Sequence, residues 1–350
     1  MNIKNLKTFT ELGYYLAKAK LTKKRIPAVA SIYITNLCNL RCKYCFVVND
    51  KFPSETLKSE LSKSEVFEIV DELYGMGTRM MYLLGGEPLV HKDIGSIVDY
   101  IVHKGMYLHI VSNGTLLEKK IRDIRRVHGI CVSLDGIGDD NDIIRGNNVF
   151  EKALSGIKAS LNANIPTRIH AVLTRHNLYT FRSLAELSKK IGIQLTISPP
   201  NYLGKCDIPE ISFTNEEYKE FWLSYLKLKK EGFTIGNSYE AILKCLNWPK
   251  DYHEYIKIGE TFKYYKPVFC ADGYTYLNIH PDGTMYNCIQ LTEPNAGPNI
   301  KEVGVKKAFE RLIEWRPDCV SCSNMNAIEK SLMNNLNINT ILSGLLFHLK

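Results

Sequence analysis

Cys38, Cys42 and Cys45 fall in the run Cys38-Asn39-Leu40-Arg41-Cys42-Lys43-Tyr44-Cys45. A tetrahedral structural metal takes four protein ligands, and this run offers three. Thiolates spaced C-x3-C-x2-C can wrap one face of a four-iron, four-sulfur cube and leave its fourth iron open. An open metal position beside a pocket is a place for chemistry. A zinc site completed by a distant fourth ligand would use the same thiols. The apolar stretch Ser31-Ile32-Tyr33-Ile34-Thr35 predicts a strand ahead of the triplet, which places the cysteines on the loop leaving it.

A second run, Met80-Met81-Tyr82-Leu83-Leu84, predicts another strand, and Gly85-Gly86-Glu87-Pro88 follows it directly. The two glycines let the backbone approach a ligand closely, Pro88 removes one amide donor, and a carboxylate there could accept from an ammonium group. Alone, such a turn is ordinary. One βα unit after the cysteine triplet, it resembles the radical S-adenosylmethionine (SAM) enzymes. The resemblance implies a 4Fe–4S cluster on Cys38, Cys42 and Cys45 whose open iron binds the amino and carboxylate groups of SAM. It also implies that Gly85, Gly86, Glu87 and Pro88 hold the SAM amino group. In similar enzymes the segments that match Ser112-Asn113 and Asp135-Gly136 here reach the ribose or carboxylate of SAM. Arg145 occupies the place of an arginine that pairs with that carboxylate, a task its guanidinium fork suits. Ser112, Asn113 and Asp135 would equally serve as turn formers.

Four further thiols, Cys270, Cys288, Cys319 and Cys322, make a complete set for a closed cluster or a structural zinc. Pro281-Asp282-Gly283 has hairpin chemistry between Leu277-Asn278-Ile279 and Met285-Tyr286-Asn287, which would bring Cys270 and Cys288 together. The arrangement C-x12-G-x4-C followed by C-x2-C resembles the auxiliary-cluster domains of radical SAM enzymes. With no cysteine after Cys322, it resembles their shortened twitch form and implies a second 4Fe–4S cluster. Cys131 lies in an apolar strand as a core filler, and Cys245 belongs to neither set. Cys206, on a loop beyond the last barrel strand, is a candidate hydrogen-atom donor or a passive thiol. His91 and His280 are expected as loop and hairpin residues.

These residues need a scaffold. Strands are expected at 31–35, 79–84, 107–112, 130–134, 168–173 and 193–198. Helices are expected near 63–76, 93–104, 116–126, 150–162 and 178–190. Such alternation predicts a parallel α/β sheet, and the resemblance implies a partial (β/α)6 TIM-type barrel with a small C-terminal twitch-like iron–sulfur domain. Both motifs then fall at the C-terminal ends of strands, where barrels bind ligands. The expected organisation is an amphipathic helix in 1–28, the barrel in 29–205, a helical connector in 206–264, the auxiliary-cluster domain in 265–326 and a C-terminal helix in 327–350. A helix from Phe213 to Gly232 is expected to start on Thr214 as N-cap.

Composition is that of a globular chain: 350 residues, 45% hydrophobic and 23% charged, with a net charge of +8. No apolar run reaches the roughly 18 residues that span a bilayer. The N-terminus lacks the apolar segment of a signal peptide, so a cytoplasmic location is expected. Ten cysteines there point to metal binding rather than disulfides. No nucleic-acid module is present, and no nucleic-acid partner is expected. The basic run Lys20 to Arg25 beside the amphipathic helix, with the leucine-rich end Ile341 to Leu349, raises peripheral lipid contact. Packing of both terminal helices on the barrel is the alternative.

The resemblance implies a radical SAM oxidoreductase using SAM, two clusters and a flavodoxin or ferredoxin as reductant. Residues 1–28 are too few for the leader-binding domain common in peptide-modifying relatives, which tilts the substrate towards a small molecule of sugar or amino-sugar type. A peptide or a lipid substrate is the alternative. Of another class would be a non-catalytic iron–sulfur or zinc protein used for sensing or scaffolding.

Overall fold

The structure, a computed structural model, describes residues 3–45, 60–200, 211–288 and 297–341. It opens with α1 (Ile3–Thr22) and β1 (Val29–Tyr33). Helices and strands then alternate: α2 (Lys63–Met76), β2 (Met80–Leu84), α3 (Ile94–Lys104), β3 (Tyr107–Ser112), α4 (Leu117–Lys120), β4 (Gly129–Ser133), α5 (Asp139–Arg145), α6 (Val149–Asn162), β5 (Thr167–Val172), α7 (Phe181–Ile191) and β6 (Gln194–Ser198). The strands β1 to β6 pair in chain order, all parallel, as the alternation predicts. Sharp signals mark the helix ends. Ser62 and Glu65 form a capping box at the start of α2, and Gly77 closes it in the left-handed conformation.

The sheet curls. Arg168 on β5 hydrogen-bonds Tyr82 on β2 and Cys131 on β4, and the first of these contacts spans two intervening strands. Every second side chain therefore points into a polar interior, while Ile32, Leu83, Ile110, Val132, Ile169 and Ile197 pack outward under the helices with no more than 1% exposure. Cys131 thus faces the barrel interior rather than the apolar layer. His170 continues that inner surface, with Nδ1 3.0 Å from Thr196 Oγ1 and Nε2 3.1 Å from Ser198 Oγ.

After β6 come α8 (Asn215–Lys230), α9 (Tyr239–Leu246), β7 (Ile256–Lys257), β8 (Tyr276–Ile279), β9 (Met285–Tyr286), α10 (Ile300–Val303), α11 (Val305–Arg311), β10 (Cys319–Ser321) and α12 (Met325–Asn334). Thr214 and Glu217 cap α8 as expected. The hairpin β8–β9 does not stand apart: β8 pairs parallel with β1 and extends the main sheet at that edge. At the other edge, the helix α12 is held to the connector by Ser238 Oγ, which donates to Glu329 Oε2 at 3.0 Å. The same helix reaches the β8 side through Lys330 and Asp272, 2.7 Å apart. One helix therefore bridges the gap that the curled sheet leaves open.

Some elements differ from expectation. The stretch 116–126 is helical only over Leu117–Lys120. Lys119, Lys120, Arg122, Arg125 and Arg126 crowd like charges on successive turns there, which disfavours a longer helix. The helix α5 was not foreseen, although Asp139, Asp140 and Asp142 in its first turn and Arg145 in its last complement its dipole. The expected C-terminal helix is interrupted: α12 ends at Asn334, Leu336 takes φ +58° just beyond it, and the chain is helical again from Ile338. The leucine-rich end past residue 341 lies outside the described residues.

The apolar face of α1 is covered. Leu12 and Leu16 are 6% and 8% exposed and pack with Met80 and Tyr107 at the starts of β2 and β3. The Arg79 side chain pairs with Glu11 and lies 3.9 Å from the Tyr74 ring centroid, fastening the helix to the barrel floor. Of the features on which lipid contact was expected, the apolar face of α1 is thus taken up by packing, as the alternative expectation had it. Among the described residues no helix is long and apolar enough to cross a membrane.

Candidate functional site

The cysteine loop and the Gly-Gly-Glu-Pro turn are stitched together by backbone. Gly86 N donates to Thr35 O at 2.7 Å and Glu87 N to Leu37 O at 2.8 Å. A Cβ on Gly85 would lie 2.5 Å from Thr35 O, and one on Gly86 2.3 Å from Leu37 O. The glycines are thus needed for contact with the chain entering the cysteine loop, a close approach expected instead for a ligand. Thr35 helps shape that entry: its hydroxyl accepts from Leu37 N at 3.0 Å and donates to Glu60.

Glu87 has no exposed surface. Its carboxylate accepts from Ser112 Oγ at 2.9 Å, Asn113 N at 2.7 Å and Leu89 N at 3.1 Å. Burial pushes it up from the ordinary glutamate value to about 7, against the pull of those donors. Pro88 opens the short 3-10 turn Pro88–Val90 that the carboxylate caps. The Asn113 side chain then reaches the cysteine loop, donating to Asn39 Oδ1 at 2.8 Å and lying 3.9 Å from Cys38 Sγ. The ends of β1, β2 and β3 form one bonded unit around Cys38.

Cys42 belongs to a second unit. Asp135, at the end of β4, forms an ion pair with Arg145 Nε at 2.6 Å, and both are nearly fully buried. Tyr44, between Cys42 and Cys45, donates to Asp135 Oδ2 at 2.7 Å and accepts from Arg145 Nη2. The other oxygen of Asp135 accepts from Val172 N at 2.8 Å. Asn141 and Asn177 bind the Asp135 main chain. Burial opposes charge on Arg145, but Asp135, Tyr44 and Cys42 outweigh it and hold the guanidinium firmly ionised. Burial pushes the Cys42 thiol up to about 11, and Arg145 draws it back down. Cys38 is likewise raised by burial, with Cys45 contributing through its charge. The three thiols thus lie near enough to act on one another.

Residues 32–188 match the family model of the Radical SAM superfamily. Over that stretch, somewhat under half of its length, the chain is similar to the radical SAM superfamily. The AdoMet-dependent heme synthase of Methanosarcina barkeri is 31% identical over 171 residues, 47% of this chain and 48% of that protein. The Fe-coproporphyrin III synthase of the same organism is 30% identical over 63% of this chain and 51% of that protein. The chain therefore spans about half the length of these two relatives. An S-adenosylmethionine-dependent nucleotide dehydratase of Flammeovirga pacifica is 26% identical over 82% of this chain and 91% of that protein. Among solved structures, anSMEcpe with bound AdoMet has a TM-score of 0.65 at 14% identity, covering 91% of this chain and 95% of that one. Streptococcus suis SuiB bound to S-adenosylmethionine has a TM-score of 0.60 at 17% identity, covering 85% and 66%. These likenesses show the fold.

The second cysteine set lies beside β8, β9 and β10. Cys270 N donates to Val320 O at 2.8 Å, which joins the segment before β8 to the loop of Cys319 and Cys322. Cys322 is raised well above the ordinary thiol value by burial first and then by Cys270, with Asp272 and Cys319 adding to it. Three of the four thiols therefore converge. Cys288 follows β9, where its charge bears on Tyr33 and on Lys330, the lysine that also acts on Cys270. Among the described residues, no three Cys, His, Asp or Glu side chains close on one point as single-ion ligands would. Cys206 lies outside the described residues. His280 stacks on Tyr33 with ring centroids 4.8 Å apart, a hairpin residue as expected.

Several site residues were missed in the sequence: Tyr44, Asn141, Asn177, Asp272 and Lys330. Tyr44 had a signal, an aromatic residue inside the triplet. The asparagines carried none, because they serve main-chain groups that only the fold brings near.

Proposed function

We propose that this protein is a radical SAM oxidoreductase acting on a polar small molecule, with Cys38, Cys42 and Cys45 holding one 4Fe–4S cluster. The observation that carries this reading is the pair of hydrogen bonds from Gly86 and Glu87 to Thr35 and Leu37. They fix the turn that would receive the SAM amino group against the loop that would hold the iron. Three partly exposed thiols on one loop suit a cube with one open iron. Bound there and reduced by a flavodoxin or ferredoxin, the cluster supplies reductive cleavage of SAM to methionine and a 5′-deoxyadenosyl radical that takes hydrogen from the substrate.

The chain's own residues bind and orient. The Glu87 carboxylate is already engaged by three donors, so main-chain carbonyls of Gly85 to Pro88 are the acceptors for the SAM ammonium. Glu87, Ser112 and Asn113 hold those carbonyls and the cysteine loop in register. Arg145, oriented by Asp135 and Tyr44, presents its remaining N–H groups to the SAM carboxylate. Cys270, Cys288, Cys319 and Cys322, within a unit spanning residues 265–326, would hold a second cluster, which would supply an acceptor for the substrate electron. Cys206 is the candidate hydrogen-atom donor. A reducing cytoplasm keeps all these thiols available.

A hydroxyl-bearing substrate of sugar or amino-sugar type is supported by the polar inner wall, where Ser31, Tyr82, Arg168, His170, Thr196 and Ser198 face the barrel interior. The likeness along most of its length to a nucleotide dehydratase, whose substrate class carries a sugar, agrees with this choice. Anaerobically reconstituted protein with dithionite should release 5′-deoxyadenosine from SAM, and Cys42→Ala should abolish it. Wild-type protein with a full cluster that never cleaves SAM would overturn the proposal.

A further inference from the structure

We infer that the Asp272–Lys330 ion pair sets the reduction potential of the cluster held by Cys270, Cys288, Cys319 and Cys322, with Asp272 lowering it and Lys330 raising it. The inference rests on the reading of those four cysteines as cluster ligands.

The placement is specific. Asp272 follows Cys270 by two residues, is 3% exposed, and gives one oxygen to Lys330 Nζ at 2.7 Å. Its other oxygen, Oδ2, is buried without a hydrogen-bond partner. Lys330 sits on α12, which begins three residues after Cys322, and its ammonium lies 3.8 Å from the Tyr276 ring centroid. Tyr276 in turn contacts Ser31 on β1. The pair therefore stands between the second cysteine set and the barrel interior, tied to both.

The field of Asp272 acts on Cys270, Cys319 and Cys322, and that of Lys330 on Cys270 and Cys288. On the outer side, Arg316 Nη2 lies 3.5 Å from Cys319 O and stacks on Phe269 and Tyr274. Reduction adds one negative charge to a cluster, so a fixed anion nearby opposes it and a fixed cation favours it. Asp272, at 3% side-chain exposure, is little screened by solvent, and Lys330, at 24%, is screened more.

The test uses protein carrying Cys38→Ala, Cys42→Ala and Cys45→Ala, so that only the second site can hold iron. After anaerobic reconstitution it should contain about four iron per chain. Redox titration followed by electron paramagnetic resonance then compares Asp272→Asn, Lys330→Gln and the double variant with this parent. Asp272→Asn should raise the midpoint, Lys330→Gln should lower it, and the double variant should return towards the parent. Opposite signs from two near-isosteric changes are not the product of general loosening. Midpoints that stay put, or move the same way in both single variants, overturn the inference while the cluster itself stands. A parent without iron, or with zinc, overturns the ligand reading and the inference with it. Should Lys330→Gln yield too little folded protein, the sign of the Asp272→Asn shift decides.

Discussion

Asn113 donates its main-chain amide to Glu87 Oε2 at 2.7 Å while its side chain holds Asn39 of the cysteine loop. Two strand ends and the cysteine loop are thereby coupled through one buried carboxylate. A change at Glu87 should therefore be felt at Cys38, with which it shares no direct bond.

The first prediction concerns pH. Glu87 rises from 4.5 to about 7 in the folded chain, so its protonated form is favoured by folding. The stability this confers is fully present below pH 4.5 and is lost as pH climbs through about 7. The shift corresponds to about 3 kcal/mol at most. Urea unfolding of the cluster-free protein should show this fall between pH 5 and 7.5, and Glu87→Gln should flatten it. An equal slope in both proteins would assign the pH dependence to other groups.

Gly86→Ala is the second. Its Cβ would meet Leu37 O at 2.3 Å and Leu37 C at 2.6 Å, backbone atoms that cannot swing aside. The segment entering Cys38 must shift, at a cost of about 1–3 kcal/mol by analogy with overpacked cores. Iron content and 5′-deoxyadenosine release should both fall. Gly75→Ala, in α2 with nothing within 4 Å, should leave both unchanged and stabilise by about 0.5–1 kcal/mol. Equal losses in the two variants would remove the steric argument.

Why some of this was readable from sequence and some was not follows from distance along the chain. The triplet and the Gly-Gly-Glu-Pro turn are contiguous, and the strand periodicity that places them is local. The helices α2 and α8 announce themselves through Ser62 with Glu65 and Thr214 with Glu217, each pair three residues apart. Arg145 could be found, but its engagement with Asp135 and Tyr44 could not, because it joins residues ten and about a hundred positions away. Likewise, Pro281-Asp282-Gly283 predicts a hairpin without saying that β8 will pair with β1. Tertiary pairing of that kind leaves no periodic trace in either segment.

The Arg145 unit gives the third prediction. Arg145→Met removes the partner of a buried aspartate and should destabilise the chain by about 3–5 kcal/mol. Adding Asp135→Asn should recover part of that loss, because the uncompensated charge is gone, yet SAM binding should stay weak in both. Thermal unfolding and SAM affinity, measured side by side, separate the two effects. Tight SAM binding in the double variant would show that this guanidinium does not meet the SAM carboxylate.

The fourth prediction decides what α1 is for. Leu12 and Leu16 are buried against Met80 and Tyr107, so each truncation to alanine should open a cavity and cost about 2–5 kcal/mol. Basic amphipathic helices do bind anionic bilayers, and Lys20 to Arg25 supplies the charge such binding would need. Among the described residues of α1, the large hydrophobic side chains facing solvent are Leu6, Tyr14 and Leu21, at 53%, 57% and 83% exposure, and they are spread along the helix with no continuous apolar face. The wild-type protein should therefore remain in the supernatant when spun with anionic liposomes at low salt. Leu12→Ala and Leu16→Ala should lower the unfolding midpoint without changing that partition. If the wild type sediments instead, and the two substitutions release it while leaving stability intact, α1 must leave the barrel floor to meet lipid, and its packing on Met80 and Tyr107 is only one of two states.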